Sequence, residues 1–342
     1  MLDCLPTTNR QRVLLLAGIV FVTTVPIFLV HSDRDFDPPT SFYALWKRTS
    51  TPTPRSPPAA PSSNNSDPRA FLHVVLQYSY VLDHLSLAVV PTGRAGQTRA
   101  ATMPELHRRQ REYDEAIRNT LSHPAVHCLH LLVNSSRDLR QVERALHPVW
   151  TQDGPALPVG KLQLHVLEKS MTYGVALAYA NQQLPGQYVV IMNSDVYPVG
   201  AGWFDLQPKH FGPQNRTVFM LSRHAPRCPG RPAIDLPPRD PIPCTKMAGY
   251  GSADGFVFRA PVPQQVVEEM MPFPTYYWGA ENRLAAALVR AKYGPLLNPC
   301  NILQLWHQHC SRVRVQGSKA PRINRGAGKS RVSRFVQQLP DV

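Results

Sequence analysis

The stretch Leu184-Pro185-Gly186-Gln187-Tyr188-Val189-Val190-Ile191-Met192-Asn193-Ser194-Asp195-Val196-Tyr197 decides the fold. Pro185-Gly186 is a turn signal, and the apolar run 188–192 has the length and β-branched character of a strand buried on both faces. The run ends in a polar tip, Asn193-Ser194-Asp195. In parallel α/β sheets ligands gather beyond the carboxyl ends of the strands, so this amide and this carboxylate should face one crevice. Asp195 then suits a hard divalent cation that carries a diphosphate. As a strand-tip carboxylate it should contribute little to the core. Taken alone, the same tripeptide also reads as an ordinary Asx turn.

Working outward, residues 71–77 read as the first core strand, 91–102 as a polar loop and 105–121 as a helix. In that helix Leu106, Tyr113, Ile117 and Leu121 form the apolar side, leaving a charged opposite face as expected of a helix lying on a sheet. Strand 127–133 follows Pro124, and helix 138–146, strand 162–167 and helix 172–182 lead into the central strand. These are consecutive units of the right-handed crossover from which nucleotide-binding sheets are built. The last helix opens beside Lys169 and Thr172, where its positive end and a lysine could both meet a diphosphate; Lys169 alone reads equally as a solvated surface residue. Beyond the central strand, 218–222 adds a strand. Residues 224–247, with Arg223 at their edge, form a long loop with Arg227, Arg231, Arg239 and Lys246, a candidate lid over an anionic donor. Strand 254–258, helix 263–271 and a longer helix from about residue 279 to 292 follow. Asn298-Pro299 then turns the chain into an extended segment, 302–309, that places His307 and His309 on one face.

The 342 residues, 43% of them hydrophobic, suffice for one sizeable core with non-globular ends to spare. Residues 13–30 form an apolar run close to the minimum for crossing a bilayer, preceded by Arg10 and Arg12. This predicts a short cytoplasmic tail (1–12), a single-pass type II anchor (13–30) and a lumenal remainder, with a cleaved signal peptide as the competing reading. Residues 31–70 read as a stem, and 49–68 are almost wholly Pro, Ser and Thr, too poor in apolar surface to fold. The catalytic domain is expected over 71–311, and 312–342 as a basic, disordered tail. Stem and tail account for much of the formal net charge of +14, and no zinc finger or RNA-recognition motif accompanies it, so no nucleic-acid partner is expected. Of six cysteines only Cys4 falls before the anchor. Cys128, Cys228, Cys244, Cys300 and Cys310 would share a compartment that permits disulfides, with the pairing open and one thiol left over.

Four further segments stand in order around the central strand: Lys169-Ser170-Met171-Thr172-Tyr173-Gly174, Gly251-Ser252-Ala253-Asp254-Gly255-Phe256, Gly279-Ala280-Glu281-Asn282 and His307-Gln308-His309. Together with Asn193-Ser194-Asp195 the set resembles the GT-A glycosyltransferases over residues 71–311. The resemblance implies an α/β, Rossmann-like, mainly parallel sheet flanked by helices. It implies a metal-dependent enzyme of Golgi or other secretory-pathway membranes that moves a sugar from a nucleotide-diphosphosugar donor to a glycan, glycoprotein or glycolipid. Lys169, Tyr173, Asn193, Ser194 and Asp195 would contact the donor. Asp195 and one of His307 or His309 would hold a divalent cation, with manganese favoured by the mixed oxygen and imidazole set. Asn193 stands where the family pattern has its first aspartate. Glu281 would be the general base and Asp254 its competitor, otherwise a ligand of sugar hydroxyls; either acid could instead cap a helix. A lumenal metal-dependent hydrolase using Asp195, His307 and His309, and a non-catalytic carbohydrate-binding protein, are the alternatives.

Overall fold

Strand 188–192 is the inner strand the sequence predicts. In the computed structural model, which describes residues 71–78, 88–92, 97–151, 160–167, 171–212, 214, 216–224, 253–275, 279–314, 334–335 and 339, it is β6 (Tyr188–Met192) of an eight-stranded sheet. All these residues belong to the compact unit 41–342. The other strands of the sheet are β1 (Leu72–Tyr78), β4 (Val126–Val133), β5 (Leu162–Val166), β8 (Val218–Leu221), β9 (Gly255–Arg259), β10 (Leu296–Asn298) and β12 (Arg334–Phe335). The order is β12-β10-β8-β9-β6-β1-β4-β5. Every pairing is parallel except the two made by β9, which runs antiparallel to both β6 and β8. This is a mixed, mainly parallel α/β sheet, the class that the sequence implies.

Alternation along β1 and β6 builds two core layers. Leu72, Val74, Leu76 and Val190 join α1 (Met103–Ser122) and α2 (Ser136–Thr151), while Val75, Val189 and Ile191 pack beneath α3 (Tyr173–Gln183), α4 (Gln264–Met270) and α5 (Ala280–Arg290). Helix α1 starts two residues before the apolar pattern. Its cause is a capping box, in which the Glu105 carboxylate accepts from the Thr102 backbone N–H at 2.8 Å, and Pro104 is tolerated in the first turn, where no intrahelical donor is needed.

Four differences from the sequence reading concern placement. The loop expected at 91–102 is partly a small hairpin of β2 (Val89–Pro91) and β3 (Thr98–Ala100), whose strands of three residues are too short to leave a periodic signature. β10, read from sequence as the approach to a turn, is a three-residue strand held between β8 and β12. Two parts of the stretch expected as a tail make backbone pairings: Arg314 exchanges two backbone hydrogen bonds of 2.9 Å with Val89, and residues 334–335 form the sheet edge. The charged face of α1 is not wholly solvated, since Arg109, Gln110 and Glu112 are buried. The anchor, the stem, Lys169, Cys228, Cys244, residues 225–247 of the expected lid and Gly251-Ser252 lie outside the described residues. Among the described residues no helix is long and apolar enough to cross a membrane.

Helix α3 approaches α4 so closely that only glycine fits at position 174. A Cβ there would lie 2.4 Å from the Met271 backbone nitrogen. Gly174→Ala should therefore destabilise the domain by about 1–3 kcal/mol, as overpacking does elsewhere. Urea unfolding checks this, and an unchanged midpoint would show that the two helices separate freely.

Candidate functional site

The chain leaves β6 through three consecutive polar residues whose side chains serve three different elements. Asn193 Nδ2 donates to Asp254 Oδ1 at 3.1 Å, just ahead of β9. Ser194 Oγ donates to the Gln77 carbonyl at 2.6 Å, near the end of β1. Asp195 accepts from Arg109 of α1 and is 3.0 Å from His307 Nε2. The carboxyl end of the inner strand is thus tied on every side, and it divides the site in two.

On one side stand Asp195, His307 and His309. A second sheet brings them together: β7 (Val196–Val199) runs antiparallel to β11 (Gln304–His307), and the register sets His307 opposite Val196. Past the end of β11, the Gln308 N–H donates to the Asp195 carbonyl at 2.7 Å. One potential ligand atom from each of the three side chains lies within 4.8 Å of the others. His309 Nε2 is 3.1 Å from the Val313 carbonyl, so that nitrogen donates and Nδ1 keeps the lone pair. Burial, then the Arg109 charge, push the His309 imidazole down to about 3, so it is neutral at physiological pH.

Asp195 is not the loosely held strand-tip carboxylate expected from sequence. It is 9% exposed. Burial favours its neutral form, but His307 and then Arg109 outweigh burial and hold the carboxyl well below the usual range. Arg109 in turn donates to Glu112 Oε2 at 2.9 Å and to the Gln308 carbonyl at 3.1 Å, with its guanidinium 4.3 Å from the Tyr113 ring centroid. Both Arg109 and His307 meet Oδ2 of Asp195. Among the described residues Oδ1 receives no such bond, which makes it the oxygen open to a cation. One carboxylate and two imidazoles form a donor set that fits manganese, iron or zinc. Arg109 and Glu112 are site residues that sequence reasoning missed. Their spacing of three within a charged helix face was the available signal, and it looks like any solvated pair.

On the other side stand Asp254, Glu281, Arg223 and, beneath them, Tyr173. Asp254 is buried and accepts from Arg223 Nη1 at 2.5 Å as well as from Asn193. Glu281 lies in the first turn of α5, which Gly279 opens at φ +92°, a left-handed conformation that suits glycine. Burial, with the Asp254 charge adding to it, raises the Glu281 carboxyl to about 7, while the backbone N–H groups of Glu281 and Gly279 and the charge of Arg223 pull the other way. Tyr173 lies in the core at 4% exposure, its ring edge-on to Phe256 at 5.8 Å between centroids. Burial and then the Glu281 and Asp254 charges raise its phenol well above the ordinary value. At this depth it supports the carboxylates from below.

No protein-family model matches the sequence, and no curated protein matches it. Solved structures that align with this chain include S. aureus TarS 1–349 in complex with UDP-GlcNAc (TM-score 0.37, 10% identity, covering 69% of this chain). This chain spans 58% of that TarS chain. A putative glucose-1-phosphate thymidylyltransferase from Bacillus anthracis aligns at TM-score 0.31 and 9% identity, over 66% of this chain and 86% of that one. A UDP-glucose pyrophosphorylase from Acinetobacter baumanii aligns at TM-score 0.29 and 12% identity, over 70% and 85%.

Because Asp195 is the partner of a buried arginine, Asp195→Ala should cost about 3–5 kcal/mol of stability, the penalty for breaking a buried pair from one side. Denaturant unfolding of the variant measures it. A midpoint equal to that of the unmodified protein would mean that Glu112 alone satisfies Arg109.

Proposed function

We propose that this chain transfers a sugar from a nucleotide-diphosphosugar donor to a hydroxyl of a glycan, glycoprotein or glycolipid. The observation that carries the reading is the division of the β6 tip into a cation-capable donor set and a separate carboxyl poised near pH 7. Glycosyl transfer with inversion uses both functions. The bond from the anomeric carbon to the diphosphate oxygen breaks while a bond to the acceptor oxygen forms, and the acceptor hydroxyl loses its proton.

Asp195, His307 and His309 would hold a divalent cation, with Mn²⁺ suited to one carboxylate and two imidazoles; when bound, it supplies positive charge for the leaving diphosphate. Glu281 takes the acceptor proton, since a carboxylate with a pKa of about 7 is a stronger base than an ordinary one and is still half ionised at neutral pH. Asp254, fixed by Asn193 and Arg223, orients a sugar hydroxyl. Asn193 acts through Asp254 rather than on the cation, which accounts for an amide where the family pattern has an aspartate. Ser194 fixes the turn, and Lys169 is assigned to the diphosphate. The apolar run 13–30 anchors the enzyme in a secretory-pathway membrane, Golgi or related, with the catalytic domain lumenal.

Incubation of the purified protein with nucleotide sugars, acceptors and Mn²⁺ tests this reading. Glu281→Gln should lower turnover by about 10²- to 10⁴-fold with donor affinity little changed, because a base acts in the transition state. In the unmodified protein turnover should rise with pH through about 7, as Glu281 loses its proton, and this rise should vanish in the variant. His309→Ala should weaken Mn²⁺ and nucleotide binding together. Release of free sugar without an acceptor product would identify a hydrolase, and saturable binding without turnover a carbohydrate-binding protein.

Topology has its own test. In sealed microsomes the carboxyl terminus should resist added protease until detergent is present, whereas digestion without detergent would place it on the cytoplasmic side.

A further inference from the structure

At the amino ends of the parallel strands, away from the Asp195 site, a second group of metal-ligating side chains faces α3. His73 lies near the start of β1, Cys128 near the start of β4 and His130 midway along it. His73 and Gln77, the β1 residue that meets Ser194, are separated along the strand by roughly 13 Å at ordinary strand rise.

An irregularity in register creates the group. Leu72 is opposite Val126 but His73 is opposite Cys128, so His127 is passed over. Such a bulge re-aims the side chains that follow it. Here it puts Cys128 beside His73 on one face, and His130, two residues on, joins them. Without the extra residue His73 would face His127 and the thiol would point into the opposite core layer. His73 Nδ1 and His130 Nε2 are 3.0 Å apart, and Cys128 Sγ and one nitrogen from each ring all lie within 4.8 Å of one another. An ion with nitrogen ligands at about 2.0 Å and sulfur at about 2.3 Å spaces tetrahedral donors by roughly 3.3–3.6 Å, so small side-chain rotations close the set.

The surroundings also fit. Cys128 is a free thiol, buried, with a long contact of 3.6 Å to the Gly160 carbonyl, whereas Cys300 and Cys310 are disulfide-bonded. His130 Nδ1 is 2.9 Å from the Tyr179 hydroxyl, which is 2.6 Å from His165 Nε2. With proton donation running from His130 to Tyr179 to His165, the Nε2 of His130 keeps its lone pair toward His73 and Cys128. An outer hydrogen bond of this kind fixes the tautomer of a metal-binding histidine.

We propose that His73, Cys128 and His130 form a second metal site, distinct from Asp195, His307 and His309, that takes a borderline or soft cation of the zinc class through one thiolate and two imidazoles. The Cys128 S–H bond breaks on binding, a sulfur–metal bond forms and the thiol proton passes to solvent, while the proton that His73 Nδ1 holds toward His130 moves to the other ring nitrogen of His73 and frees the lone pair that binds the ion. The fourth position is left for water. The sulfur ligand sets this site apart from the other, whose oxygen and nitrogen donors suit manganese.

Titration of the full-length, metal-stripped protein with Co²⁺ and then Zn²⁺ tests the proposal. Co²⁺ should produce a thiolate-to-metal charge-transfer absorption that one equivalent of Zn²⁺ bleaches, and which His307→Ala/His309→Ala retains. Cys128→Ser should abolish the band, and His73→Asn, at a half-buried position, should weaken Zn²⁺ binding by about 10- to 100-fold or more with the fold intact. A spectrum without the charge-transfer band, or equal zinc stoichiometry in the unmodified protein, Cys128→Ser and His73→Asn, would overturn it and leave a plain histidine–tyrosine hydrogen-bond chain. Neither result bears on glycosyl transfer, which is read by a separate assay at the other end of the sheet.

Discussion

A buried ion pair between Arg109 and Asp195 holds the carboxyl end of this sheet together. Arg109 reaches from α1 to the tip of β6 and also binds the Gln308 carbonyl beyond β11. One helical turn on, Glu112 accepts from the Ser311 N–H at 2.5 Å and from its hydroxyl at 2.8 Å. A helix, the inner strand and the segment bearing both site histidines are thus fastened at one point. Burying these charges costs desolvation that the pairing only offsets. Their consequence is position: His307 and His309 come from a segment more than a hundred residues from Asp195, and the clamp reinforces the β7–β11 pairing that sets that segment beside it.

The same constraint explains why three adjacent residues can serve three elements. Inside a strand, neighbours alternate between two faces. At the tip the alternation ends, and Asn193, Ser194 and Asp195 turn toward β9, β1 and α1 respectively. The charges are thereby sorted. Asp195 is surrounded by cationic and imidazole groups that keep it ionised, whereas Glu281 is desolvated beside another carboxylate and holds its proton up to about pH 7. Two acids with opposed environments can take two roles in one reaction.

The two ends of the sheet differ in kind. Oxygen ligands and charged partners gather at the carboxyl end, while the amino end carries His73 and a thiol, from which imidazoles run along the face under α3 through His130 to His165, with Tyr179 of α3 against the last two: the His73 and His130 rings lie 5.3 Å apart and those of His130 and His165 6.0 Å. Parallel strands make this possible, because all their starts lie on one side and all their ends on the other. One skipped residue between β1 and β4 then decides which face the thiol joins.

What the sequence determined by itself was the local order. The run 188–192 is a strand as read, because five consecutive apolar residues after a Pro-Gly turn can only be satisfied by burial on both faces. The helices at 172–182 and 263–271 and the strands at 71–77 and 254–258 are likewise placed to within a residue, since their periodicity is local and strong. Asp195, His307 and His309 were legible as a set through the order of short motifs, and they do meet. Only the tertiary structure decided that Asp195 is buried against Arg109, that Glu281 is desolvated and carries a raised carboxyl, and that part of the tail completes the sheet edge. Each of these depends on partners dozens to more than a hundred residues away, and on how much water the assembled fold leaves around a charge. Periodicity and spacing carry no record of either.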